Sequence, residues 1–215
     1  MAEEETSDNV GEQVENKMEE TIKEEEKADS RDKSKLYEEI EVPEGINSSV
    51  EEDVLIMKKD DKEVKRKLTS LIDIKVNGNK IIISTERVRK IERKLFGTFK
   101  AHVRNMIKGL EEGFMFKLKI ANVHFPMNVS FDKSSHALVV KNFLGEKTDR
   151  VITVPKGAEV KVDKEDIEIT GYDIEVAGDA ATRIEKGTHV RNKDRRIYQD
   201  GIFIVEKPGR VYLWW

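Results

Sequence analysis

The sequence predicts an α+β fold of two tandem duplicated domains, each an antiparallel sheet packed with a helix. Short apolar runs bounded by turn residues predict strands in both halves of the chain. Each half then ends in a segment whose apolar residues recur at helical spacing. Matching landmarks also recur at similar distances, since 83 residues separate Leu55 from Leu138 and 86 separate Ile81 from Ile167. Such similar offsets indicate duplication of one unit.

The first 35 residues differ in composition from the rest of the chain. They hold 13 Asp or Glu against 6 Lys or Arg, a net charge of -7, and they contain no aromatic residue. A segment of this kind cannot bury enough apolar surface to offset its ordering entropy, so residues 1–35 are predicted to be a disordered acidic arm. The other 180 residues carry a net charge of +3, although the whole chain carries -4. The predicted folded body is therefore mildly basic and compatible with a polyanionic partner.

The first domain, predicted at residues 36–113, begins with strands. Three stretches combine aliphatic residues with turn residues at their ends, namely 40–43, 54–57 and 74–83. The last is predicted to be a hairpin, because Asn77-Gly78 favours the positive backbone dihedrals of a tight turn. Residues 58–62 (KKDDK) turn the chain after the second strand, and residues 64–71 are interpreted as a basic arm.

An amphipathic helix is predicted to complete this domain. Ser84 or Thr85 is expected to cap its N-terminus, and Gly97 is a candidate break or bend. Gly109 and Gly113 are expected to mark its end. The predicted inward face consists of apolar residues at helical spacing: Val88, Ile91, Leu95, Phe99, Val103, Met106 and Leu110.

The second domain, predicted at residues 114–210, repeats this order. Apolar runs predict strands at 117–120, 123–129, 137–140, 151–154, 160–162 and 167–169. Asp173 is expected to cap the second helix. Its predicted inward face is Ile174, Ala177, Ala180, Ala181 and Ile184. Residues 211–215 form a short aromatic tail, for which stacking on a base, filling a partner's groove and packing over a sheet edge remain open.

A basic stretch followed by an apolar strand lies near the end of the second domain. Residues 191–196 contain four cationic side chains, and residues 202–205 read as a short buried strand after a turn at Gly201. A basic loop held by a hydrophobic strand can present guanidinium groups to phosphate, since a rigid anchor lowers the ordering cost of binding. A solvated charged loop is the alternative that this stretch alone leaves open.

Several classes of function are disfavoured. The chain has no cysteine, so disulfides and thiolate metal sites are excluded and a reducing cytosolic setting is expected. No apolar run approaches the roughly 18 residues of a membrane span, and no signal pattern opens the chain. The four histidines lack metal-ligand spacing, and the acidic cluster at 163–166 suits a solvated turn. We therefore expect a soluble cytoplasmic protein that is not an enzyme and uses no metal, cofactor or membrane.

Four separated blocks resemble one protein family. They are residues 97–109 (GTFKAHVRNMIKG), 113–119 (GFMFKLK) leading to His124-Phe125-Pro126, 141–147 (KNFLGEK) and 194–201 (DRRIYQDG). In this order they resemble the archaeal and eukaryotic branch of the large-subunit ribosomal protein number six family. The resemblance covers roughly residues 40–207. Asn192 stands where the family commonly has glycine, and asparagine tolerates the left-handed backbone region.

The resemblance implies a structural constituent of the large ribosomal subunit. In that family the second domain binds rRNA beside the sarcin–ricin loop at the stalk base, close to neighbouring ribosomal proteins and to docking translational GTPases. The rRNA-binding residues carried over are Arg183, Lys186, His189, Arg191, Lys193, Arg195 and Arg196. Lys100 and Arg104 on the first helix are further candidates. Their charges suit the task, because folded RNA is recognised through phosphates, 2′-hydroxyls and shape.

A second class of function remains open at this point. A non-ribosomal adaptor could reuse the same duplicated fold to bind nucleic acid or protein, with the acidic arm as its docking element. Salt-sensitive binding to rRNA that depends on Arg195 and Arg196 separates the two hypotheses.

Overall fold

A computed structural model describes residues 35–212. The predicted arm, apart from Lys35, and residues 213–215 of the tail lie outside the described residues. The first half contains six strands and one long helix: β1 (Leu36–Glu41), β2 (Asn47–Glu51), β3 (Val54–Lys59), β4 (Lys62–Lys67), β5 (Asp73–Asn77), β6 (Lys80–Thr85) and α1 (Lys90–Glu111). They form two antiparallel three-stranded sheets, ordered β1-β6-β5 and β2-β3-β4.

The second half repeats this arrangement and extends it. Its elements are β7 (Phe114–Ala121), β8 (Asn128–Asp132), β9 (Ala137–Lys141), a 3-10 turn (Phe143–Gly145), β10 (Arg150–Thr153), β11 (Ala158–Val162), β12 (Asp166–Gly171), α2 (Ile174–Gly187), β13 (Gly201–Lys207) and β14 (Arg210–Val211). The orders β11-β12-β7 and β10-β9-β8 reproduce those of the first half. The α+β fold and its duplication are thus confirmed. The addition is β13, which pairs with the free side of β7 and carries β14.

Each half has its own hydrophobic core beneath its helix. In the first, α1 buries Phe99, Val103, Met106 and Leu110 against a cluster that includes Ile81. In the second, the predicted inward alanines and Ile184 of α2 are fully buried in a separate cluster. Alanines there let the helix approach the sheet closely. The Asp173 cap is confirmed, because its carboxylate accepts the Glu175 N–H at 2.8 Å.

Other local predictions were wrong. Neither Ser84 nor Thr85 caps α1, since Thr85 ends β6 as a buried residue and its hydroxyl donates to the carbonyls of Leu71 and Arg87. Helix α1 begins at Lys90 and runs through Gly97 without a break. Val88 therefore precedes the helix. Ile91 is 64% exposed, so the apolar face starts later than predicted.

Two strand predictions also need correction. Residues 64–71 are not merely a basic arm, because 62–67 form β4, in which Val64 is buried between charged neighbours that face outward. The polar strand β2 had no apolar run to reveal it. Residues 123–127 form a loop rather than the start of a strand, and β8 begins at Asn128. Pro126 lacks an N–H for a ladder bond, in keeping with a loop there.

The two halves meet where α1 and β4 contact the start of α2. A methyl group at Gly109 would lie 2.0 Å from the carbonyl oxygen of Tyr172, so only glycine permits this approach. The Lys62 ammonium lies 4.2 Å from the centre of the Tyr172 ring. Arg66 donates to the Glu175 carboxylate at 2.5 Å, and its other nitrogen lies 2.7 Å from Nε2 of His102. These contacts fix how one half sits on the other.

No helix among residues 35–212 is both long and apolar enough to cross a membrane.

Candidate nucleic-acid interface

The predicted basic stretch lies in the connection between α2 and β13, which we call the basic loop (residues 188–200). It contains four Lys or Arg and two Asp, a net charge of +2 with neutral histidine. The side chains of Arg191, Lys193, Arg195 and Arg196 are exposed. No described acidic side chain forms an ion pair with any of these four. Arg195 and Arg196 are therefore available to an external anion, while Arg191 and Lys193 are available although their charges also lower the pKa of the nearby Glu146 carboxylate.

Arg150 on β10 holds the entry of the basic loop. Its Nε and Nη2 donate to the Glu146 carboxylate at 2.8 and 2.6 Å, while Nη1 donates to the carbonyls of Gly187 and His189 at 3.0 and 3.1 Å. The guanidinium also lies 3.9 Å from the centre of the Phe143 ring. Its side chain is only 18% exposed. The hydrogen bond from Arg150 lowers the pKa of Glu146, so the Glu146 carboxylate stays ionised at neutral pH and keeps its bond to Arg150.

Asp200 holds the exit of the basic loop. Its side chain is buried and accepts the backbone N–H groups of Val123 and His124, both at 2.8 Å, and the Nδ1–H of His124 at 2.6 Å. Burial favours the neutral acid, but the donors of His124 and Val123 outweigh it and lower the pKa of Asp200. The carboxylate thus ties the loop to the connection between β7 and β8.

Hydrogen bonds inside the basic loop fix its shape. Asn192 adopts φ +58°, which confirms that this asparagine takes the left-handed backbone region. The Asp194 carboxylate accepts the Arg196 N–H at 2.9 Å, and its carbonyl accepts the Tyr198 N–H at 2.9 Å. The Tyr198 ring stacks on His124 with centroids 4.8 Å apart, and the Lys193 ammonium lies 4.4 Å from its centre. The backbone is therefore held without engaging the arginine side chains.

The structure divides the sequence-predicted residues into three groups. Five lie together in the basic loop: His189, Arg191, Lys193, Arg195 and Arg196. Two lie on the exposed side of α2, where Lys186 is in the last turn and Arg183 pairs with Asp179 at 2.8 Å. Lys100 and Arg104 lie on α1 in the other half of the chain, and both pair with Glu38 on β1, at 2.6 and 3.2 Å. Whether these residues bind rRNA stays a prediction.

The sequence analysis did not identify Arg150 and Asp200, the two residues that anchor the basic loop. Arg150 bonds to the loop from β10, and Asp200 at the end of the loop bonds to His124, which lies 76 residues away in sequence. The only available signal was that His124 and Asp200 fall within blocks that resemble one family. Among the described residues, no three His, Cys, Asp or Glu side chains form a group that could hold a metal ion.

Comparisons with known proteins give related sequences from three archaea. Large ribosomal subunit protein uL6 of Methanococcus vannielii is 40% identical over 177 residues, covering 82% of this chain and 96% of the relative. The uL6 protein of Methanobrevibacter smithii is 36% identical over 173 residues, covering 80% and 96%. That of Desulfurococcus amylolyticus is 42% identical over 134 residues, covering 62% and 73%. No family model matches the chain.

Proposed function

The chain belongs to the uL6 family of large ribosomal subunit proteins, and we propose that its basic loop binds large-subunit rRNA beside the sarcin–ricin loop. As a member of that family it is a structural, non-enzymatic component of the ribosome in the cytoplasm, with rRNA and other ribosomal proteins as partners. We further propose that the basic loop lies at the stalk base, close to the site where translational GTPases dock.

One observation carries this proposal: a basic loop anchored at both ends whose four cationic side chains have no described ion-pair partner. Anchoring matters because each flexible side chain or loop that must be ordered on binding reduces affinity. Free charge matters because each cation that meets a phosphate releases condensed counterions. Arg183 contributes less, since Asp179 already compensates its charge.

The predicted rRNA contacts of the first domain, Lys100 and Arg104, are partly neutralised, unlike the cations of the basic loop. Glu38 accepts both Lys100 and Arg104, so the three groups together carry one net positive charge. We propose that these two cations face rRNA or a neighbouring ribosomal protein at the stalk base, with affinity for phosphate reduced by Glu38. The rigid contact between the halves would keep this surface at a fixed distance from the basic loop.

Chemical probing of large subunits tests the proposed location. Subunits reconstituted with this chain should show protection of nucleotides at and beside the sarcin–ricin loop, relative to subunits that lack it. Replacing Arg195 and Arg196 together by Glu should remove that protection, because both side chains are exposed and their change leaves the core intact. Protection confined to a distant rRNA region would contradict the placement while leaving family membership untouched. The adaptor hypothesis gains no support from the comparisons, since all three relatives are ribosomal proteins.

A further inference from the structure

A cavity of about 640 Å³ opens between the basic loop, β7 and β13. This volume lies within the range of roughly 300–1,000 Å³ typical of ligand-binding clefts. Its walls come from residues far apart in sequence, from Lys119 to Phe203. We call it the loop cavity.

The interior of the loop cavity is mainly apolar. Its apolar lining includes the buried Val190 and Ile202, Ala121 and the half-buried Phe203. Val123 at the surface is 60% exposed, so an aliphatic side chain meets water there. Covering this surface with a flat apolar group would remove it from water, which favours binding.

Glu185 and Asp200 also line the loop cavity, but its rim is mainly cationic. Lys119, Arg195 and Arg196 line it and are exposed, and neither arginine has a described ion-pair partner. A simple phosphate would use only this rim, whereas a purely apolar ligand would use only the interior. A nucleotide matches both, because a flat base is joined to a charged backbone. The cavity is also continuous with the loop that is proposed to bind rRNA.

We propose that the loop cavity accepts one nucleobase rotated out of the rRNA stack at an unpaired or bulged nucleotide. This inference rests on the proposed function and adds to it the kind of rRNA feature that is recognised. Unstacking a base costs a few kcal/mol in a regular helix and least where the base is already unpaired. A bulged nucleotide is therefore the favoured occupant.

The polar groups around the cavity limit how the base is read. The Thr188 hydroxyl donates to the Ile184 carbonyl at 3.1 Å and accepts the Ile202 N–H at 3.1 Å. Asp200 is occupied by the donors of His124, and the Tyr198 ring is stacked on that histidine. Glu185 accepts the Ile204 N–H at 3.3 Å, and the Gln199 amide donates to the Arg196 carbonyl at 3.1 Å. The nucleotide is thus held mainly by apolar contact with its base and by its phosphate at the rim. We expect selection by size and by unpaired state, with little dependence on base identity.

The test compares variants of the full chain on a large-subunit rRNA fragment that spans the sarcin–ricin region. Ala121→Leu fills the cavity from β7, and Val123→Gln replaces an exposed apolar wall by an uncharged polar one. Ala101→Leu is the matched control, because Ala101 is exposed on α1 and does not line the cavity. Thermal unfolding of each variant checks that the fold is retained. Binding is measured across a salt series, and base reactivity is probed with dimethyl sulfate and a carbodiimide.

In the wild-type complex, one unpaired base that reacts in free rRNA should become protected. Ala121→Leu and Val123→Gln should leave that base reactive and weaken binding about tenfold, within the range measured for losing one base contact, with the salt slope unchanged. Ala101→Leu should match the wild type. If salt-dependent binding persists but no base is protected, or if both cavity variants behave as wild type, the nucleobase site is refuted and the proposed function stands. If the wild type shows no salt-dependent binding to the fragment, both fail.

Discussion

Removing the Asp200 carboxylate should detach the exit of the basic loop. In Asp200→Ala the backbone N–H groups of Val123 and His124 lose their acceptor, and the imidazole of His124 loses its partner. Each lost hydrogen bond to a charged group is worth about 1.5–3 kcal/mol, and leaving buried donors unsatisfied adds to the cost. Because His124 is partly exposed and water can replace some of these bonds, we expect a net loss of about 3–5 kcal/mol in the free energy of unfolding.

Asp200→Asn is the matched control for this experiment. Its amide oxygen can still accept both backbone N–H groups, so only the charge and one side-chain hydrogen bond are lost. We expect a smaller loss of about 1–2 kcal/mol. The pKa of Asp200 is lowered in the fold, so its stabilisation is present above the ordinary value of 3.8 and is lost as pH falls through the lower native pKa. The difference between wild type and Asp200→Asn should therefore shrink only below about pH 4.

Two measurements test whether the Asp200 carboxylate anchors the basic loop. Urea unfolding gives the loss of stability, and amide hydrogen exchange reports the protection of the Val123 and His124 N–H groups. Affinity for the rRNA fragment should fall for Asp200→Ala even under conditions where the variant is fully folded, because the loop must then be ordered on binding. Unchanged protection of both amides in Asp200→Ala, together with wild-type stability, would refute the role of this carboxylate as an anchor.

Further perturbations test the other anchor and the contact between the halves. Arg150→Lys cannot reproduce the two-pronged hydrogen bonding to a carboxylate, so it should cost about 1–3 kcal/mol in urea unfolding and weaken rRNA binding without changing its salt slope. Gly109→Ala places a methyl group 2.0 Å from the Tyr172 carbonyl oxygen and should cost about 1–3 kcal/mol or more, whereas Gly97→Ala, with open space around it, should stabilise α1 by up to about 1 kcal/mol. Burial and then the Arg66 guanidinium lower the pKa of His102. The free energy of unfolding of the wild type should therefore fall as the pH drops from 6.5 towards the lower pKa of the folded state. In a series of unfolding curves at different pH, His102→Gln should not show this loss of stability.

The duplicated α+β fold could be predicted because its signals are local and repeated. Buried strands such as β3 and β9 are short apolar runs, and the apolar residues of α2 follow helical spacing. The hairpin at Gly78 was likewise readable, since Gly78 has φ +57°. The expected positive φ of Asn77 was wrong, because Asn77 ends β5 and pairs with Lys80, so that the two-residue loop is Gly78-Asn79. These features depend on residues that are near neighbours in the chain.

The features that the sequence analysis missed or predicted wrongly depend on partners that are distant in sequence. Strand β2 is mostly polar, and its pairing with β3 rather than its own composition makes it a strand. Thr85 has the side chain of a helix cap, but its hydroxyl bonds to the Leu71 carbonyl instead. The basic loop was recognisable from its charge, whereas its anchors were not. Arg150 and Asp200 act through contacts made only after the sheet and α2 have assembled.

The salt dependence of rRNA binding tests the central claim most directly. With Arg195 and Arg196 both changed to Gln, the slope of log affinity against log salt concentration should become shallower by about 1.4–1.8, because two phosphate contacts are lost. Changing Arg89 and Arg93 to Gln removes two exposed arginines from the first half of the chain and should leave the slope close to that of the wild type. Equal slopes for the wild type and the Arg195 and Arg196 variant would contradict a basic loop that binds rRNA phosphates.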